Sequence, residues 1–138
     1  MPGHESVARE WLLKAENDLK AAAQVLKLGE DCPTDAVCFH AQQCVEKYLK
    51  TLLILAGSEF PRTHDVEELI SLLRPDLRPQ VTPPEQAALT RYATVIRYPG
   101  DYSAIPLSEA RKAVAIARRV RKAARAALPP DLLRRKSK

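Results

Sequence analysis

His40, Gln43 and Lys47 stand within residues 38–53, CFHAQQCVEKYLKTLL. Their spacing of three and four puts them along one side of a helix. An imidazole can move a proton near neutral pH, an amide can donate and accept, and an ammonium can hold an anion. A row of this kind fits a polar groove for an anionic ligand. A bland reading also fits, in which the three line a helix–helix seam or a solvated flank. Arg97 adds a guanidinium that matches phosphate oxygens with two parallel donors. Tyr98 and Tyr102 could offer hydroxyls to the same ligand.

The element that carries this row is apolar on two sides. Val37, Ala41, Cys44, Tyr48, Leu52 and Leu55 form one face, while Phe39, Leu49 and Leu53 lie on the other, around Glu46 and Lys50. Such a helix is either central to the fold or serves a second interface. We read Phe39 and Leu53 as a homodimer contact, with cover by the third or fourth helix as the alternative.

Helical periodicity continues along the chain. The first helix is expected over 6–28, with Gly29 at its end. Thr34 is expected to cap a helix over 35–56, and Thr63 a short one that ends before Pro75. Thr82, Pro83 and Glu85 form a capping box that starts a fourth helix, broken by Pro99 and Gly100. Ser108 is expected to cap a fifth, over 108–128. No strand pattern or internal repeat is visible. The expected fold class is all-α, an up-and-down bundle of about five helices over residues 1–128, followed by a basic tail over 129–138.

The chain has 138 residues and a formal net charge of +5. From Ser108 onward 11 basic residues face 2 acidic ones, whereas the rest is mildly acidic. On the last helix Arg111, Arg118, Lys122 and Arg125 share one face, opposite a seam of small residues. This stripe could bind phosphates or an acidic partner, or simply solvate the helix. Membrane binding is not expected, because the opposite face is mostly alanine. The three cysteines, in a chain with no evident export signal, suggest reduced thiols and a cytoplasmic location. Cys38 and Cys44 lie about 120° apart on a helix and do not converge on one ion. No metal and no cofactor are expected.

FHAQQCVEKYLKTLL resembles the signature helix of the HEPN domain family. RTHDVEELI at 62–70 and RYPG at 97–100 follow in that family's order, and AREWLLKAENDLKAA resembles its first helix. The resemblance implies a small helical bundle, commonly a dimer. It implies a partner too, a minimal nucleotidyltransferase encoded nearby in a toxin–antitoxin-like pair of genes. Many HEPN proteins are metal-independent endoribonucleases whose motif is an Arg followed, after four to six residues, by a His. Others are thought to bind RNA or nucleotides without cutting. In related toxins the partner nucleotidylates a tyrosine near that motif, for which Tyr102 is a counterpart.

Here the cleavage motif is missing. No His follows Arg97 or Arg91, and the last His of the chain is His64. Metal-free cleavage needs a base, an acid and a cation for the developing phosphorane charge. Arg97, His40 and His64 are the candidates for those roles. The expected function is therefore an RNA- or nucleotide-binding module in which His40, Gln43, Lys47, Arg97, Tyr98 and Tyr102 contact the ligand. The alternatives are an endoribonuclease toxin with a degenerate site and a non-catalytic partner subunit.

Overall fold

The computed structural model describes residues 3–94 and 104–134. Within them the chain forms helices α1 (His4–Leu26), α2 (Thr34–Leu55), α3 (Val66–Leu72), α4 (Pro83–Thr94), α5 (Leu107–Ala127) and α6 (Pro130–Leu133), with no strand among the described residues. The all-α bundle expected from periodicity is present.

Ala8, Leu12, Ala15, Leu19 and Ala22 recur every three or four residues and give α1 one buried face. Gly29 takes a φ of 63°, a left-handed conformation that favours glycine, and turns the chain toward α2. Side-chain pairs fix the directions of the helices. Asp18 of α1 reaches Lys47 of α2 while Glu16 reaches Tyr48, so the two helices run antiparallel. Glu16 meets Arg121 of α5 and Arg9 meets Asp131 of α6, so the chain from 121 to 131 runs back along α1 in the opposite direction.

α2 is the central element. It packs against α1, α3, α4 and α5, and residues on every side of it are buried. Leu53 is fully buried within the chain, together with Leu49. The expectation that Leu53 faces a second copy is therefore corrected: neighbouring helices cover it. Phe39 remains 41% exposed.

The expected capping box holds. Thr82 N–H donates to Glu85 Oε1 at 2.9 Å, and Glu85 N–H donates to Thr82 Oγ1 at 3.3 Å. Three other expected caps are corrected. Thr34 lies inside α2, and its hydroxyl donates to the Ile105 carbonyl at 2.6 Å, tying α2 to the start of α5. Asp65, not Thr63, caps α3 by accepting from Glu68 N–H. Pro106 precedes α5, and Ser108 sits in its first turn without capping it. Residues after 128, expected as a tail, begin with the one-turn α6, whose Leu132 is buried in the core. No helix among the described residues is long and apolar enough to cross a membrane.

Candidate functional site

The row on α2 is organised by a carboxylate from α1. Asp18 occupies the core-facing side of α1 and is nearly buried. Its Oδ1 lies 2.9 Å from His40 Nδ1, and its Oδ2 accepts from Lys47 Nζ at 2.6 Å. A buried carboxylate must be partnered, and here two partners share it. Gln43 turns the other way and donates to Gln42 Oε1 at 2.6 Å. Two of the three residues thus meet at one point, and the third joins a different network.

That second network lies deeper. Glu46 Oε1 accepts from Gln42 at 2.8 Å and lies 2.8 Å from His64 Nδ1, and its Oε2 accepts from Lys50 at 2.8 Å. Lys50 is only 8% exposed at its side chain, and its ammonium stands 5.1 Å from the Trp11 ring centroid. Burial alone would raise the Glu46 pKa, but the bonds from Lys50, His64 and Gln42 outweigh it and hold the carboxyl below its ordinary value. His40 and His64 therefore sit on two different carboxylates and do not form one acid–base pair. His64 and Asp65 do not pair either, because Asp65 is the cap of α3.

His40 also lines a cavity of about 420 Å³ with Phe39, Asp35, Arg91, Tyr92 and Ile105. The Phe39 and His40 rings meet edge to face at 5.5 Å between centroids. One mouth thus offers an exposed ring, an imidazole and a guanidinium. These are groups that can stack on a base and hold a phosphate. Arg97, Tyr98 and Tyr102 lie outside the described residues.

The cysteines supply no nucleophile to this region. All three are buried and free. Burial pushes the Cys38 thiol up to about 12, and Cys44 is raised as well.

On the opposite flank of α1 the basic stripe is redrawn. Arg118, Lys122 and Arg125 line a groove between α1 and α5 together with Arg121 and, from α1, Lys20. Arg111 lines no part of it. Glu16 sits at the base of this groove. It accepts from Arg121 Nε at 2.8 Å and from Arg121 Nη2 at 3.1 Å, takes the buried Tyr48 hydroxyl, and has Arg125 at 3.7 Å. Burial opposes its ionisation, yet Arg121, Tyr48 and Arg125 hold its carboxyl below the ordinary value. Sequence reasoning missed Asp18, Glu16, Glu46, Lys20 and Arg121. For Asp18 a signal existed: an acidic side chain on an otherwise apolar face demands a partner.

Comparison with known proteins follows the same line. The model of the HEPN domain matches residues 8–127. The crystal structure of TT1696 from Thermus thermophilus is 30% identical, with a TM-score of 0.68 over 88% of this chain and 98% of that one. ST0689, an archaeal HEPN homologue, is 26% identical, with a TM-score of 0.65 over 92% of this chain and 98% of its own. No curated protein matches the chain. The helical order, the α2 signature and the extent of the match together establish that the chain belongs to the HEPN family.

Proposed function

We propose that this HEPN protein is an RNA- or nucleotide-binding module. It works as a homodimer, alongside a minimal nucleotidyltransferase encoded nearby in a toxin–antitoxin-like pair. The observation that carries the binding reading is the mouth shared by Phe39, His40 and Arg91. Its two nitrogenous side chains, His40 and Arg91, fit a phosphate. Arg97, Tyr98 and Tyr102 belong to the same proposal as further ligand contacts, whereas Gln43 and Lys47, bonded to Gln42 and Asp18, line no part of the mouth. The nucleotidyltransferase pairing rests on family membership alone.

One observation favours a second reading, the metal-independent endoribonuclease. Asp18 holds one ring nitrogen of His40 at 2.9 Å and leaves the other for a substrate. A carboxylate-oriented imidazole is a usual general base, here for a 2′-hydroxyl. An arginine would carry the phosphorane charge. The missing His after Arg97 weighs against it.

Labelled cellular RNA incubated with the pure protein in EDTA separates these readings, with Arg91→Ala and Arg97→Ala beside the wild type. The binding reading expects intact RNA on a denaturing gel. It also expects affinity, measured by anisotropy, to weaken about tenfold in each variant. Cleavage by wild type alone would install the nuclease reading. Intact RNA with no binding at low salt would leave a non-catalytic partner subunit.

The dimer has its own test. Phe39→Asp puts a charge on the exposed ring position of α2. It should halve the mass seen by light scattering, and an unchanged mass would remove Phe39 from the interface.

A further inference from the structure

We propose that the groove between α1 and α5 holds the sugar–phosphate backbone of an RNA strand, at a site separate from the cavity beside His40. This deepens the RNA-binding reading and rests on it. The groove encloses about 690 Å³ and shares no residue with that cavity. Its cations come from two helices, Lys20 on one wall and Arg118, Arg121, Lys122 and Arg125 on the other, against Glu16 as the single acid among the described lining residues. Arg118 and Lys122 are exposed and make no ion pair with any described residue, so they are available to a ligand. Along α5, Lys122 and Arg125 stand about 6 and 10 Å beyond Arg118. A line of charges at that pitch suits a polymer of regularly spaced anions.

Among the described residues the groove contains no aromatic side chain, and its apolar walls amount to Leu19 and Ala23. A protein partner normally needs a buried aromatic or aliphatic anchor, whereas a phosphate backbone needs only charge. An adjoining cavity of about 760 Å³ shares Glu16, Lys20, Arg121 and Arg125, and adds Arg9 and Arg134 beside a second acid, Glu10, and four leucines. From Arg9 to Ala23 the two run about 20 Å along α1. At roughly 3.4 Å per stacked nucleotide that is about six nucleotides. Affinity should therefore climb with strand length to about six and then level off.

The test uses labelled oligouridylates of two, six and twelve nucleotides at low salt. Three proteins are compared with wild type: Arg118→Glu with Lys122→Glu, Arg111→Glu with Lys112→Glu, and Arg91→Ala. The second pair makes the same charge change on the same helix at exposed positions outside the groove. The groove pair should weaken twelve-nucleotide binding about tenfold or more, and flatten its dependence on log salt by about 1.4, with the control pair close to wild type. Equal losses in both pairs would reduce the effect to net charge and overturn the proposal. So would displacement of the RNA by poly-L-glutamate at matched charge, which would favour an acidic protein partner. Loss with Arg91→Ala but not with the groove pair would overturn the groove and keep the cavity. The reverse pattern would keep the groove and overturn the cavity. No binding by wild type would overturn both.

Discussion

Glu46→Ala should cost about 3–5 kcal/mol of stability in urea denaturation, among the largest losses available to a single polar residue here. The substitution strands Lys50, a nearly buried ammonium whose only carboxylate among the described residues is Glu46. It also leaves the Gln42 amide, fully buried, without its acceptor. His64 suffers least, because its side chain is 57% exposed and can turn to water. The double variant Glu46→Leu with Lys50→Met should recover part of the loss, since it removes both charges together. Recovery should stay incomplete, because Gln42 still lacks an acceptor. A Glu46→Ala protein as stable as wild type would show that the network carries no net energy. The same carboxylate sets an acid limit. Its folded pKa lies below the ordinary 4.5, so its contribution is present above 4.5 and is lost as pH falls through the lower, folded value. Glu16 behaves alike. The wild type should therefore weaken below about pH 4.5 more steeply than Glu46→Gln does.

The helices were legible in the sequence because their signal is long-range in the chain but simple. Apolar residues at three- and four-residue spacing leave α1, α2 and α5 no other way to bury them. The caps were less legible because a hydroxyl chooses among partners that only the tertiary fold supplies. Thr34 satisfies the local rule for a cap, yet its hydroxyl donates to the Ile105 carbonyl, 71 residues away. Thr82 obeyed the rule because its partner, Glu85, is local. The candidate site divides the same way. The row of His40, Gln43 and Lys47 was visible from one helix. Asp18, which binds two of them, sits on another helix and was not. Likewise the stripe on α5 was visible, but the groove is completed by Lys20 of α1. Spacing on one element shows which side chains share a face; it does not show what stands opposite.

Glu16→Gln should lower stability and raise RNA affinity at once, and the opposed signs make it the more informative variant. The glutamine oxygen still accepts one bond in place of the carboxylate, so the buried Tyr48 hydroxyl need not lose its partner. What disappears is the charge opposite Arg121 and Arg125. Because Arg121 is 40% exposed, water screens that pair, and the loss should be about 1–2 kcal/mol in urea denaturation. In the groove the same change removes the one acid among the described lining residues, which faces five cations. Arg121 and Arg125, released from Glu16, become available to phosphate. Twelve-nucleotide oligouridylate should bind about three- to tenfold tighter at low salt, with a slope against log salt steeper by about 0.7 for each further phosphate neutralised. A residue that holds a fold together while opposing its ligand is a familiar compromise between stability and function. Affinity and salt slope equal to wild type would mean that no phosphate approaches Glu16. The groove site would then have to end at Arg118 and Lys122, too short for the six-nucleotide plateau.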